Sequence, residues 1–158
     1  RFERFVEASP SARFIESPEE LEKEKLCGQN LLIAVGARHL REAVLSARKA
    51  KAKVFARIFP SPDNLKKSLE CGLPGSHIAL VRAKKCEPVN SIEAALCRKW
   101  AINSVLCRES GGYTQFLWQE VSNHLNIQLW FLRRPNPCKN VKTVNSFSSL
   151  LEIVNSLD

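Results

Sequence analysis

Five short apolar runs, starting about 24 residues apart, punctuate the chain: NLLIAV (30–35), KVFARIF (53–59), HIALV (77–81), INSVLC (102–107) and IQLWFL (127–132). Most are continuous rather than alternating, as strands covered on both faces should be. Between them the spacing turns helical. Leu40, Ala43, Val44 and Ala47 form one stripe, Ile92, Ala95 and Leu96 open a second, and Leu117, Val121 and Leu125 mark a third. Strand and helix therefore alternate, which predicts βαβ units: an α/β protein with an open, doubly wound, mainly parallel sheet of the Rossmann or flavodoxin kind. About five to six strands with helices on both faces are expected.

Both ends add to this pattern. In SPEE (17–20) Ser17 is placed to cap a helix that has Pro18 at its first position and two glutamates in its first turn. Phe147, Leu150, Leu151, Val154 and Leu157 predict a closing amphipathic helix capped by Ser146. The opening RFERFVEASPSARF fits no unit. Residues 1–13 are read as a linker or the tail of a preceding domain, and 14–158 as a carboxyl-terminal α/β domain.

Composition changes this picture in three places. The 158 residues suit one domain with its own core, but they contain no methionine and open on Arg1, so an excised part of a longer protein is expected. The six cysteines, Cys27, Cys71, Cys86, Cys97, Cys107 and Cys138, include no C-x-x-C pair, and are expected to be free thiols acting as small buried hydrophobes. His39, His77 and His124 lie far apart, so no zinc site is expected. With no apolar stretch near the roughly 20 residues of a membrane helix and no signal-peptide pattern, the cytoplasm is the expected location.

Charge points to a partner. The net charge is +8, but residues 1–25 carry net −2 while residues 38–67 carry nine basic and two acidic groups. That asymmetry suits an anionic ligand or a solvated face. In doubly wound sheets ligands bind beyond the carboxyl ends of the strands, which directs attention to the loops there. After the first run come Gly36, Arg38 and His39; Arg57 closes the second; Arg108, Ser110, Gly111, Gly112 and Thr114 follow the fourth; Arg133 and Arg134 follow the fifth. Four of five loops thus bring arginine to one rim. Adjacent glycines before a helix start allow close backbone approach to phosphate or carboxylate. No carboxylate pair, Ser–His–Asp order or Cys–His couple is evident, so any chemistry calls for a cofactor.

In order, LLIAVGARHL, ARIFPSPDNLKKSLECGLPGSHIAL, INSVLCRESGG and IQLWFLRRP resemble the carboxyl-terminal half of the precorrin-6A reductase family, including its cobalt-precorrin form. The likeness runs from about Phe14 to the end, and RFERF is similar to the segment leading out of the family's amino-terminal half. The resemblance implies an NADPH-dependent reductase of cobalamin biosynthesis, whose substrate is a corrin precursor bearing many carboxylates. Hydride transfer would occur in a cleft shared with an amino-terminal domain of the same polypeptide. The family's G-x-K/R-x-L loop falls on Gly36, Arg38 and Leu40, its R-[IV]-x-P strand on Arg57, Ile58 and Pro60, and its K-x-S-G-G turn on Arg108, Ser110, Gly111 and Gly112. The chain departs from the family at 83–88, AKKCEP in place of G-P-F, and at Leu117 in place of a lysine.

Two other readings remain open. A tetrapyrrole- or phosphate-binding α/β domain without its own reaction fits the same rim. A basic nucleic-acid module would need exposed aromatics among its cations, whereas Phe55, Trp130 and Phe131 lie inside strand runs and are expected in the core.

Overall fold

The computed structural model describes residues 10–82, 84–135, 144 and 146–156. Six strands form one all-parallel sheet: β1 (Arg13–Ile15), β2 (Asn30–Ala34), β3 (Lys53–Ile58), β4 (Ile78–Leu80), β5 (Ser104–Arg108) and β6 (Gln128–Leu132). Their spatial order is β1-β6-β5-β2-β3-β4. From β2 the chain steps outward to β3 and β4, then returns to lay β5 and β6 on the other side of β2. The direction of winding reverses between β2 and β5. Such reversals open a crevice at the carboxyl edge, because the flanking helices leave in opposite directions.

Strand residues alternate between two cores. Leu31, Ile33, Val54, Ala56, Ile58 and Leu106 face α1 (Leu40–Lys49). Leu32, Phe55, Val105, Cys107, Leu129 and Phe131 face α3 (Ile92–Lys99) and α4 (Tyr113–Leu125), where Trp118 is wholly enclosed. Burial on both faces is why the runs read as continuously apolar. The stripe Leu40, Ala43, Val44 and Ala47 is buried throughout, as its spacing predicts. Phe55, Trp130 and Phe131 are core residues.

Three expectations change. The sixth strand, within the expected five to six, is β1, which pairs with β6 at the sheet edge. The segment Pro18–Lys23 is a 3-10 turn, and the Ser17 side chain makes no backbone cap. Instead the Ser17 hydroxyl, together with the Glu19 backbone, holds the Glu19 carboxyl below its ordinary range. On α3 the inward face is Glu93, Ala94 and Cys97, while Ile92 and Ala95 are exposed. That helix is turned relative to the expected stripe because a glutamate, not an aliphatic residue, holds the buried position. Among the described cysteines only Cys97 and Cys107 are buried; Cys27 and Cys86 are exposed and Cys71 is half-buried, all as free thiols. Cys138 lies outside the described residues.

The closing helix α5 (Phe147–Asn155) forms with Ser146 capping it, the hydroxyl accepting from the Ser149 N–H. None of its described residues is buried. Leu157 lies outside the described residues. The remaining helix, α2 (Pro62–Glu70), is capped by the Ser61 hydroxyl, which accepts from the Asn64 N–H.

Polar side chains tie down the amino ends of the strands. The Asn103 Oδ1 accepts from the Asn30 N–H at 2.9 Å, and the Asn30 Nδ2 donates to the carbonyls of Trp100 and Ala101 at 2.9 and 3.1 Å. Ser104 donates to Gln29 Oε1, and Gln128 Nε2 donates to the Ser11 carbonyl. Among the described residues no helix is long and apolar enough to cross a membrane.

Candidate functional site

At the carboxyl edge, an open cleft of about 440 Å³ lies over the β2–β5 reversal. Its lining includes Gly36, Arg57, Arg108, Ser110, Thr114 and Arg134, six of the residues that the sequence nominates. Arg108 reaches it as the last residue of β5, one position later than the strand end expected from sequence. Ser110 and Thr114 flank the start of α4. Arg134 arrives from the loop after β6, where its Nε donates to the Glu109 carbonyl at 2.7 Å and its backbone N–H to Glu109 Oε2 at 3.2 Å.

Arg57 enters by a different route. It shares a sheet face with Phe55, the face that α3 covers, so its guanidinium meets Glu93. The Arg57 Nη2 donates to Glu93 Oε1 at 2.8 Å, with the side chains 12% and 3% exposed. The Arg57 Nε is enclosed and has no hydrogen-bond partner. Arg57 is therefore both paired and cleft-lining.

Other nominated residues stand apart. Arg38 is exposed and does not line the cleft, and His39 immediately precedes α1 with its Nδ1 3.7 Å from Glu42 Oε2. Gly111 adopts φ +62°, a backbone state that glycine enters at little cost. Its N–H donates to the Gln115 Oε1 at 2.8 Å. That glycine thus shapes the turn, and its amide is engaged inside the turn rather than by a ligand. Gly112 is the residue before α4 and carries extended backbone angles, φ −124° and ψ −171°.

The two departures from the family pattern are also accounted for. Leu117 is fully buried against the sheet, so a charge there would point into the core in this backbone arrangement. The loop after β4 is fastened by Tyr113, whose hydroxyl accepts from the Cys86 N–H and lies 3.1–3.2 Å from the carbonyls of Lys84 and Cys86. Ala83 lies outside the described residues.

Sequence reasoning missed Glu93, Glu109, Gln115 and Phe59. Phe59 is half exposed, lines the cleft, and carries the Arg82 guanidinium 5.1 Å from its ring centroid. The signal for Glu93 was present: an arginine inside an apolar strand calls for a buried counter-charge. Three of the nine basic residues in the run at 38–67 are engaged elsewhere. Arg48 donates to the carbonyls of Cys71 and Gly72, Lys49 pairs with Glu22, and Lys53 sits over the Phe55 ring. Among the described residues, no cluster of three His, Cys, Asp or Glu is placed to hold a metal ion.

An all-parallel, doubly wound sheet with a guanidinium-lined cleft at its reversal defines an open Rossmann-like α/β fold. Known proteins agree on the lineage. The chain belongs to the precorrin-6x reductase CbiJ/CobK family, whose model matches residues 1–155. It is 32% identical over 111 residues to the cobalt-precorrin-6A reductase of Synechocystis sp., covering 70% of this chain and 41% of that protein. A solved structure of CobK precorrin-6A reductase has the same fold, with a TM-score of 0.69 at 18% identity, over 98% of this chain and 60% of that one. The chain thus spans between two fifths and three fifths of the length of these relatives.

Proposed function

We propose that this chain forms one side of the cofactor and substrate cleft of a cytoplasmic, NADPH-dependent precorrin-6A or cobalt-precorrin-6A reductase of cobalamin biosynthesis. The other side would come from an amino-terminal domain of the same polypeptide. The observation that carries this reading is the convergence of Gly36, Arg57, Arg108, Ser110, Thr114 and Arg134 on one cleft at the sheet reversal.

That set fits an anionic ligand. Three guanidiniums stand there against the carboxylates of Glu93 and Glu109. Phosphate and carboxylate groups take charge-assisted hydrogen bonds from such donors. Arg108 and Ser110, beside the start of α4, are the groups suited to a phosphate or ring carboxylate, since a helix start favours negative charge. NADPH would supply the hydride. The residues of this chain would orient the cofactor and the corrin precursor and keep water from their contact.

The test is NADPH oxidation in the presence of precorrin-6A or cobalt-precorrin-6A. It compares the 158-residue chain with a polypeptide that also carries the proposed amino-terminal domain. Turnover by the longer polypeptide alone is expected. Turnover by the 158-residue chain would overturn the two-sided cleft, and no turnover by either would overturn the reductase reading.

A further inference from the structure

Glu93 holds an unusual position: a carboxyl side chain only 3% exposed, on the inward face of a helix otherwise packed with Ala94 and Cys97. Enclosing a carboxylate and a guanidinium costs several kcal/mol per ion in desolvation, and a well-packed apolar pair often does as well for stability. A contribution to folding alone is a weak reason for the pair. Its geometry supplies a better one.

Arg57 reaches Glu93 through Nη2 only. Its Nε is enclosed without a partner, and among the described residues Nη1 has none either. Nη1 is not among the enclosed, unpartnered atoms, and Arg57 lines the cleft, so this nitrogen is the one left at the cleft surface. We infer that Glu93 is a positioning residue. It grips one edge of the Arg57 guanidinium from behind and presents the other edge to the ligand.

Two consequences follow from that arrangement. The side chain of an arginine at a cleft normally loses considerable freedom when it binds, and a prior grip removes much of that cost. The pair is also neutral as a whole, so Arg57 acts as a directed donor to one carboxylate or carbonyl oxygen rather than as added net charge. Net positive charge in the cleft then rests on Arg108 and Arg134, with Glu109 offsetting part of it.

This inference rests on the cleft being the site for a carboxylate-bearing tetrapyrrole, so the experiment separates the two ideas. Uroporphyrin III, an octacarboxylate, is titrated into the chain carrying Arg57→Ala, Glu93→Ala, both together, and Glu93→Gln. Each single alanine variant is expected to weaken binding roughly tenfold or more, the value of one charge-assisted hydrogen bond. The double variant should bind no worse than Arg57→Ala. Glu93→Gln keeps an acceptor for Nη2 and should rescue binding. Losses that multiply in the double variant, or parent-like binding by Glu93→Ala, would overturn the inference. In parallel, nitrogen-15 NMR should resolve separate Arg57 Nη signals in the parent and in Glu93→Gln, merging in Glu93→Ala. If the parent shows those signals but binds no uroporphyrin, the tetrapyrrole reading fails while the grip stands. If the signals stay separate in Glu93→Ala, the grip itself is refuted.

Discussion

The two edges of this sheet are built from the same strands yet use their polar groups in opposite ways. At the amino edge, Asn30, Asn103, Gln29, Ser104 and Gln128 direct hydrogen bonds at one another and at neighbouring carbonyls. At the carboxyl edge, Arg57 lines the cleft and, among the described residues, donates only through Nη2, to Glu93, while Arg108 projects as an exposed strand-end residue. One edge commits its polar groups to the fold itself; the other leaves guanidiniums lining an open cleft. Polar residues at strand ends therefore carry opposite meanings, and their hydrogen-bond partners tell them apart.

The sharpest way to break this contrast is Arg57→Ala, because Arg57 belongs to both categories. It leaves the Glu93 carboxylate enclosed without a counter-charge, and removing one partner of a buried pair costs about 3–5 kcal/mol. Chemical denaturation should register that loss alongside weaker ligand binding. A stability change below about 1 kcal/mol would mean that the pair is wetter than its burial implies.

Asn30→Ala tests the other edge. It removes the donor to the Trp100 and Ala101 carbonyls, and a loss of about 1–3 kcal/mol in unfolding free energy is expected with ligand binding unchanged. A binding defect with normal stability would extend the functional surface to the amino edge.

Between the edges lie two buried thiols whose response to pH reports on the sheet itself. Burial, with the Glu93 charge as a second cause, pushes the Cys97 thiol from 9.0 up to about 12. Burial alone pushes Cys107 upward. A raised thiol keeps its full share of stability below its ordinary value and loses it as pH climbs from there through the folded value. Unfolding free energy should therefore fall above about pH 9 by up to ~1.4 kcal/mol per pH unit for each thiol. Denaturant titrations at pH 8 and 10 should show the slope, and Cys97→Ala with Cys107→Ala should flatten it. At pH 8 a thiol reagent should label Cys27 and Cys86 on the native chain and reach Cys97 and Cys107 only after unfolding.

The smallest effect on stability belongs to Arg108→Ala. As an exposed residue it should alter unfolding free energy by less than about 0.5 kcal/mol. Affinity for an anionic ligand should nonetheless fall roughly tenfold by calorimetry, as one charge-assisted bond is lost. Equal affinity would remove Arg108 from the site.

Much of this was legible from the apolar pattern. Strands buried on both faces announce themselves as unbroken runs, and α1 shows a clean stripe because only aliphatic residues meet the sheet there. The pattern failed where burial and polarity part company. Three-residue β1 is too short for any period to register, and α3 hides Glu93 on its inward face while exposing Ile92. The candidate cleft was half legible for the same reason. Loop position nominated Arg57, Arg108, Ser110 and Arg134, but the partners that orient them, Glu93 and Glu109, are set by tertiary contact across 36 and 25 residues of sequence. Arg38 shows the limit of position alone: it follows the right strand and yet lies outside the cleft lining.

The Gln115 side chain that closes on the Gly111 N–H has a thermodynamic consequence. A glycine pair gives a flexible turn, and each backbone residue that must be fixed costs about 1–2 kcal/mol in conformational entropy. Gln115 lies inside α4 and is buried, so its amide oxygen is held by the fold before any ligand arrives. The ordering of this turn is thus charged to folding rather than to association. A ligand meeting Ser110 and Arg108 finds a turn already frozen, and its affinity is spared that entropic loss. Gln115→Ala would move the same loss from one equilibrium to the other, leaving a looser turn that each ligand must order anew.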